Sequence, residues 1–385
     1  MPDQRGVAIP MTLLVLLLLS ALTAGFATLS SNEPQIAANL KQETEALALA
    51  EAGIERVIWA LNNPTTPDGL AFPLPATIPD PYTGATDLAL GSGVYRVTVA
   101  AGATASEVAV TSEGRVPGWT AYRGRRTIAA VVTGLPNLNP PCAVCAKGGL
   151  TVGNKTIVDS RTSTCGSKRA SYSTASTDIQ GVENKTQYGL FAADADANTP
   201  NQATDYSENV PASTFDAFTL TPDQINLLKD LAKARGTYYR GAVTLSGSVP
   251  DGIVFVDTAS GDPIGSPPNP LDFGSVAIEG NVGNAKGWIL VMGDLSVRGE
   301  WLYSGLLYAA NRVALYRAEG LGENNNSLSG AIIAGNVSAS PDAMPFNTSL
   351  STKTNIQYNC DSIRTAGSTV PAFFVKPGSW REVGG

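Results

Sequence analysis

The hydrophobic pattern of the chain begins with one long apolar run. Residues 7–29, VAIPMTLLVLLLLSALTAGFATL, contain no charged side chain. As a helix they would extend about 35 Å, which exceeds the roughly 30 Å hydrocarbon core of a bilayer. A secretory signal peptide has a shorter apolar region, and a buried core helix of this length usually carries a charge. The run therefore predicts a single transmembrane helix, with Arg5 in the cytoplasm and the rest of the chain outside.

Residues 30–62 continue the helical pattern in amphipathic form. After Pro34, aliphatic residues recur every three or four positions, and charged residues occupy the other face. The pattern predicts a helix that a globular part of the chain covers along one side. The apolar positions are Ile36, Leu40, Leu47, Ile54, Val57, Ile58 and Leu61, and the charged ones include Lys41, Glu43, Glu45, Glu51, Glu55 and Arg56.

Prolines then end the helix, and strand patterns occupy the rest of region 63–139. Residues 93–102, 106–116 and 122–134 are strand-like runs bounded by Gly or Pro. They predict a small antiparallel sheet that packs on the helix near Ile54–Leu61. A basic cluster in this sheet is either a solvated strand face or a contact for an acidic neighbour or lipid headgroups. Its members are Arg115, Arg123, Arg125 and Arg126.

The region 140–385 changes character and contains short strand patterns separated by Gly and Asn. Similar units begin at Gly287, Gly305 and Gly330, each with an apolar triplet, a small pair and a second short apolar strand. Stacked copies bury inward-facing aliphatics, which predicts a parallel β-helix, a solenoid, with an antiparallel jelly roll as the alternative. The fold class expected for the chain is α+β, mostly β. The expected turn residues are Asn154, Asn281, Asn311 and Asn336.

One helix interrupts this second region, at 222–235. Thr221 suits the N-cap, Pro222 the first helical position, and Gln224 completes a capping box. Gly236 ends the helix. We expect it to cover an open end of the solenoid.

Composition narrows the chemistry that is open to the chain. It has no histidine, which excludes Ser-His-Asp and Cys-His catalysis and any His-ligated metal. The net charge of −7 argues against nucleic acid as a partner. An enzyme of the lyase kind would need a convergent set of Asp, Arg or Lys, and the sequence offers only isolated pairs. These are Asp159 with Arg161 and Asp294 with Arg298.

The four cysteines, Cys142, Cys145, Cys165 and Cys360, all lie outside the membrane in the predicted topology. They allow three pairings, and we expect Cys165–Cys360 with a local Cys142–Cys145 link, formed in an oxidising compartment. Zinc fits poorly because the second pair lacks CxxC spacing and the chain has no histidine, and a thioredoxin-like redox site fits poorly because CAVC follows Pro140 and Pro141 without a βαβ setting. No metal or cofactor is expected. A calcium loop at Asp194, Asp196 and Asn198 is weakly indicated, since the Gly and Glu of an EF-hand are missing.

The N-terminal residues carry a family resemblance. RGVAIPMTLLVLLLLSALTAGF, followed by NEPQIAANLKQETEALALAEAGIERVIWAL, resembles the N-terminal region of PilX-type minor pilins of type IV pili. The K-type minor pseudopilin of type II secretion begins similarly. The resemblance covers about 55 residues in total. Long PilX-like proteins also end in Gly-rich repeats with a closing segment similar to residues 355–366.

The resemblance implies how the chain is processed and where it goes. Residues 1–6 would be a prepilin leader, which prepilin peptidase cuts after Gly6 to leave Val7 as the N-methylated mature terminus. The chain would sit in the inner membrane before assembly, then join a pilus or the cell surface. Its partners would be other minor pilins and the major pilin, contacted through the N-terminal helix.

One position departs from the pilin pattern. Most pilins carry Glu as the fifth mature residue, and this chain has Met11 there. The departure favours the PilX and K-type branch over a major pilin. We therefore predict a minor pilin that primes assembly and sits at the filament tip, displaying a β-rich domain for a surface ligand or a tip adhesin. The alternatives are a K-like minor pseudopilin and a membrane-anchored β-helix adhesin or carbohydrate-active protein.

Overall fold

The computed structural model describes residues 8–136, 138–153, 155–163, 165–180, 188–192, 199–280, 282–316, 326–337, 348–350, 354–365 and 371–384. The helices in these ranges are α1 (Ala8–Asn62), α2 (Pro222–Arg235) and α3 (Cys360–Arg364), with 3₁₀ helices at Ala212–Ala217 and Pro270–Asp272. The first strands are β1 (Leu88–Leu90), β2 (Gly93–Ala101), β3 (Glu107–Val116), β4 (Gly124–Gly134), β5 (Cys142–Ala146), β6 (Leu150–Val152), β7 (Ile157–Asp159), β8 (Arg169–Ser173), β9 (Thr177–Ile179), β10 (Gly189–Phe191), β11 (Tyr206–Ser207) and β12 (Tyr238–Arg240). The later strands are β13 (Ala242–Ser246), β14 (Gly252–Asp257), β15 (Gly274–Glu279), β16 (Val282–Val291), β17 (Gly293–Arg298), β18 (Trp301–Ala309), β19 (Val313–Tyr316), β20 (Asn326–Ala334), β21 (Thr348–Leu350), β22 (Thr354–Tyr358), β23 (Phe373–Val375) and β24 (Arg381–Glu382).

The chain divides into two units. Unit 1 comprises Met1–Thr133 and Gly378–Gly385, and unit 2 comprises Gly134–Pro377. The division differs from the predicted regions 63–139 and 140–385 at the end of the chain. Residues 378–385 belong with unit 1 because β24 pairs antiparallel with β4, Arg381 opposite Ala129.

Unit 1 is built from α1 and an antiparallel sheet in the order β1-β2-β3-β4. In β2 the side chains of Tyr95, Val97 and Val99 are buried and alternate with more exposed residues, as the sequence pattern predicts. The helix packs on β2 and β3. Its buried residues begin only at Ala46, with the others at helical spacing through Leu61.

Glycines let the helix approach the sheet closely. A Cβ atom added at Gly114 would lie 2.1 Å from the carbonyl oxygen of Ala46, and one at Gly124 would lie 2.4 Å from that of Gln42. On the helix itself, a Cβ added to Gly53 would meet the Ser112 hydroxyl. The lack of a Cβ atom at these glycines, on the helix and on the sheet, therefore sets the distance between the two elements in unit 1.

Unit 2 contains two parallel sheets. The larger has the order β10-β7-β22-β20-β18-β16-β14-β12, with β5 pairing with β20 and β8, and β8 with β11. The smaller has the order β13-β15-β17-β19-β21-β6-β9. From β13 to β22, successive strands alternate between the two sheets. The strand pairings recorded within unit 2 are parallel, so the antiparallel jelly roll is wrong.

The register of the larger sheet aligns the repeat that the sequence shows. Gly252 pairs with Gly287, Gly287 with Gly305, and Gly305 with Gly330. Two positions further along each strand, aliphatic side chains are in the same register and are fully or almost fully buried, at Val254, Ile289, Leu307 and Ile332. Burial of these aliphatic stacks drives unit 2 to fold.

Two helices cover parts of the larger sheet. The capping box of α2 forms as predicted, with Thr221 Oγ1 accepting from Gln224 N at 3.3 Å and Gln224 Oε1 accepting from Thr221 N at 2.9 Å. Gly236 ends the helix in the left-handed conformation, at φ 72°. The buried side of α2 packs on β12 and β14, and α3 packs on β16, β18 and β20. With a helix on one side and apolar core on the other, β14 is buried along its whole length.

Candidate functional site

The first part of α1 presents a continuous apolar surface. Residues Ile9–Phe26 carry no charge, and none of them is buried. Ser20 donates its hydroxyl to the carbonyl of Leu16 at 2.7 Å, and Thr12 and Thr23 make equivalent bonds one turn back. These bonds satisfy the polar side chains without water. By length and composition, the segment is suited to cross a membrane.

The exposed apolar surface extends beyond this span. Ile36 is 65% exposed and Leu40 is 67% exposed, although the amphipathic pattern predicts that both face the globular part of the chain. The sheet reaches the helix only from Gln42 onward, and the first buried residue of the helix is Ala46. Met11 lies on the exposed helix, and the processing positions Gly6 and Val7 lie outside the described residues.

Part of the predicted basic cluster is neutralised within the sheet of unit 1. Glu113 Oε1 lies 2.7 Å from the guanidinium of Arg115 and 2.6 Å from that of Arg125. The Arg115 guanidinium also stacks on the ring of Trp119, 3.9 Å from its centroid. These arginines are held by internal partners, which favours the solvated strand face over a contact for an external anion.

The next arginine of the cluster connects three elements of unit 1. Arg126 binds Glu43 of α1 at 2.7 Å and Glu382 of β24 at 2.6 Å. Arg123 is the member with no acidic partner among the residues that the structure describes. The cluster therefore ties the helix and the last strand to the sheet.

Both disulfides of the expected pairing are present. Cys142 and Cys145 are joined across a Cα–Cα distance of 5.7 Å, and Cys165 and Cys360 across 6.2 Å. The second bridge spans 195 positions of the chain and ties the segment before β8 to the start of α3. Cys142 and Cys145 are fully buried in β5, so solvent thiols have no access to their sulfurs.

The two isolated acidic–basic pairs noted in the sequence have separate partners in the structure. Asp159 and Arg161 form a two-point pair, with Nη2 to Oδ2 at 2.7 Å and Nε to Oδ1 at 3.0 Å. This bond raises the pKa of Arg161. Asp294 accepts from Asn311 at 2.6 Å and pairs with Arg312, while Arg298 stacks on a tyrosine ring. Asp159 and Arg161 therefore bind each other, whereas Asp294 and Arg298 have different partners.

A cleft of about 330 Å³ lies in unit 2 where neighbouring parallel strands end. The strands β14, β16, β18, β20 and β5 are consecutive neighbours in the larger sheet, and the residue at or just after the end of each lines the cleft. Helix α2 and residues 262–264 form the opposite wall. Pockets at the carboxyl edge of parallel strands are common ligand sites in open sheets. The strand-end residues are Asp257, Met292, Ala310, Gly335 and Lys147.

The backbone at this edge is satisfied, so side chains decide the chemistry of the cleft. The Met292 amide donates to Val256 O at 2.8 Å, and the Ala310 amide donates to Val291 O at 2.8 Å. The Lys147 amide continues the series, to Ala334 O at 2.8 Å. The cleft surface is consequently apolar in its greater part. It is formed by Leu220, Ile225, Ile264, Met292, Tyr308 and Val337.

A buried polar group closes one end of the cleft. Lys229 Nζ of α2 lies 2.5 Å from Asp257 Oδ2 and donates to the carbonyl of Gly261 at 2.6 Å. The Tyr238 hydroxyl donates to the same aspartate oxygen at 2.8 Å, and the Thr258 amide donates to Oδ1 at 2.9 Å. Burial and this bond raise the pKa of Tyr238 to about 12, so its hydroxyl remains a donor. Asp257 thus has partners on both oxygens.

Lys147 has a different environment. It is half-buried in the cleft wall, directly after β5. Its ammonium has no acidic partner within the part of the chain that the structure describes. Asp262, the fourth charged residue of the lining, is exposed. Among the described residues, Lys147 is therefore the lining cation without a carboxylate partner.

Sequence reasoning missed the cleft. A signal was present at two of the strand ends, because a charged residue follows an apolar run there, Lys147 after CAVCA and Asp257 after IVFV. No group of three potential metal-binding side chains occurs among the described residues. Asp194, Asp196 and Asn198 of the weakly indicated calcium loop lie outside them, as do Asn154 and Asn281. Asn336 adopts the left-handed turn conformation expected of it, at φ 47°.

Comparisons with known proteins give little further information. No protein-family model matches the chain, and no curated protein matches it. Among solved structures, the chain is similar to the competence-associated pilin ComZ from Thermus thermophilus. The two are 14% identical, the match covers 89% of this chain and 97% of that one, and the TM-score is 0.20. At this TM-score the likeness carries no argument, and the function of this chain has to be inferred from its own residues.

Proposed function

We propose that the chain is a minor pilin of a type IV pilus or of a related pseudopilus. The observation that carries the proposal is the form of α1, one helix from Ala8 to Asn62 with an exposed uncharged first part and a second part packed on an antiparallel sheet. Such a helix anchors the chain in the inner membrane and then packs beside the helices of neighbouring subunits. The exposed Ile36 and Leu40 lengthen the surface for those neighbours.

Processing by prepilin peptidase follows from the leader MPDQRG. Cleavage after Gly6 leaves Val7 at the start of the apolar helix, where methylation of its amine is expected from the resemblance. The anchor is kept, in contrast to a secreted protein that loses its apolar segment. The C-terminal part of the chain lies outside the membrane, where its disulfides are stable.

A place at the filament tip follows from Met11. In pilins, the Glu at this position neutralises the amine of the subunit above it, and a buried unpaired charge costs several kcal/mol. A subunit with Met11 offers no such partner, and nothing is lost where no subunit lies above. The subunit would prime assembly with other minor pilins and remain at the end.

Unit 2 is the part that such a subunit displays. We infer a β-helix, because successive strands alternate between two parallel sheets and each strand pairs with the strand two places along. A domain of this size on every subunit would crowd a packed helical core, whereas one copy at the end projects freely. Unit 2 acts by binding, because Asp159 with Arg161 and Lys229 with Asp257 form internal pairs and the described residues of the unit offer no convergent catalytic set.

Processing provides the first experiment. N-terminal peptide analysis of the purified chain is expected to find Val7, and Gly6→Val is expected to leave the leader attached. Gly25→Val is the matched control, because Gly25 has open space around its Cα and lies on the far side of the apolar run. A mature terminus between residues 25 and 30 would identify an ordinary secreted protein instead.

Location in the filament provides the second experiment. Immunogold labelling of sheared surface filaments should mark one end, at a copy number far below that of the major pilin. Label spaced evenly along the fibre would overturn the tip assignment. Loss of protein secretion with intact pili in a deletion strain would favour the K-like pseudopilin.

A further inference from the structure

We propose that the cleft at the carboxyl edge of the larger sheet in unit 2 is a binding site for a small apolar monocarboxylate, whose carboxylate pairs with Lys147. The site belongs to unit 2 alone. It is expected to work whether or not the chain is assembled into a filament.

The size and surface of the cleft fit a small organic molecule. Its volume of about 330 Å³ lies within the usual range for ligand sites. Leu220, Ile225 and Met292 contribute aliphatic walls, and the strand-end amides are already bonded to carbonyls of the neighbouring strands. A ligand with many hydroxyl groups would find few free partners on these walls, so the ligand body is apolar.

The charged residues that line the cleft determine which head group of a ligand can bind. Lys229 is matched by Asp257, which also accepts from Tyr238 and Thr258, so this pair is neutral as a unit. Asp262 is exposed, so solvent and salt screen its charge. Lys147 remains as a half-buried cation without an acidic partner among the described residues. A single carboxylate complements it, and a charge-assisted bond at this depth is stronger than one in water.

Position on rigid elements supports a built site. Lys147 follows directly on β5, whose residues are buried throughout and pair with β20 and β8. The Cys142–Cys145 disulfide constrains the same strand. The Lys147 backbone is fixed by its bond to Ala334 O, so little order has to be created when a ligand arrives.

The test compares three ligands that share one ring system. The probes are 2-naphthoate, the neutral 2-naphthamide and the cationic 2-naphthylmethylammonium, titrated calorimetrically into the full chain in lipid nanodiscs, with empty nanodiscs as the blank. We expect 2-naphthoate to bind at a single site and the amide at least tenfold more weakly. Equal affinity for the three probes, or tighter binding of the cation, would overturn the proposal.

Variants locate the binding. Lys147→Gln should weaken 2-naphthoate by roughly tenfold, the usual size for loss of a bond to a charged group, and leave the amide unchanged. Val337→Trp places a bulky ring in the cleft at a residue that is 37% exposed, and should abolish binding of both probes while unit 2 stays folded. Lys286→Gln, at an exposed lysine away from the cleft lining, is the control and should change neither. Unchanged naphthoate affinity in Lys147→Gln, or in Val337→Trp, shows that the ligand binds elsewhere and refutes the site. No binding by the wild-type chain would refute it as well.

Discussion

Replacing Gly305 with alanine tests how closely the strands of unit 2 approach one another. Gly305 lies between Gly287 and Gly330 in the register of the larger sheet, and its φ is 142°. A Cβ atom built on Gly305 would lie 1.8 Å from the carbonyl oxygen of Gly287. Alanine is therefore disfavoured twice, by its backbone conformation and by a contact with backbone that no side-chain movement relieves.

The expected cost follows from adding these two effects. Holding a residue other than glycine at such a φ costs about 1–3 kcal/mol, and moving packed backbone to admit extra atoms costs about 1–3 kcal/mol more. We expect Gly305→Ala to lower the free energy of unfolding of unit 2 by about 2–6 kcal/mol. For a unit of this size, each kcal/mol lowers the melting temperature by about 2–4 °C, so the shift should be roughly 4–24 °C.

Gly247→Ala is the matched control. Gly247 also has a positive φ, 77°, but a Cβ atom there would have no heavy atom within 4 Å. The Gly247→Ala variant therefore measures only the free-energy cost of holding alanine at a positive φ, about 1–2 kcal/mol. Thermal unfolding followed by far-ultraviolet circular dichroism, on the full chain in nanodiscs, compares the two variants. Equal shifts for both would refute the reasoning, because the contact with Gly287 would then contribute nothing.

Three further predictions concern other features of the chain. In the chain-entropy model, a disulfide destabilises the unfolded chain by about 5 kcal/mol for the bridge of Cys360 and by about 2 kcal/mol for the bridge of Cys145. Cys360→Ser should therefore lower the melting temperature more than Cys145→Ser does. Calorimetry that finds the reverse order would contradict this. Gly114→Ala should destabilise unit 1 by about 2–4 kcal/mol, measured by urea denaturation, because its Cβ would contact the backbone of α1. Met11→Glu should be tolerated without making the chain polymerise alone, and filaments of purified Met11→Glu protein in electron micrographs would contradict the tip assignment.

Local features were predictable because a few neighbouring residues encode them. The ends of α2 follow from Thr221, Gln224 and Gly236, which satisfy the helix termini regardless of the rest of the fold. The alternation of β2 follows from its single buried face. Gly287 and Gly305 each begin a repeat unit in the sequence, and they pair with each other in the larger sheet. Glycine recurs there because the two strands approach too closely for a Cβ atom.

Long-range pairing was not predictable from the same signals. The return of β24 to β4 depends on residues Arg381 and Ala129, which are far apart in sequence and carry no distinctive pattern. The amphipathic pattern also overextended the buried face of α1, because Ile36 and Leu40 look like core residues but stay exposed. The spacing of apolar residues indicates which face of a helix is apolar, but it does not indicate whether the protein itself covers that face.

The cleft was not predictable for a related reason, because residues that are far apart in sequence form it. The role of its charged residues depends on which of them the fold brings together. Parallel pairing brings Lys147 and Asp257 to one edge of the larger sheet, and helix α2 adds Lys229 from the opposite wall. Charged residues are 15% of this chain, against roughly 25% in an ordinary domain. The low fraction follows from strands such as β14, which is buried on both faces and accepts apolar residues in an unbroken run. Lys147 lies directly after a strand of this sheet, half-buried and without an acidic partner among the described residues, and such a cation costs stability. A ligand carboxylate would supply that partner, whereas Lys229 already has its carboxylate in Asp257.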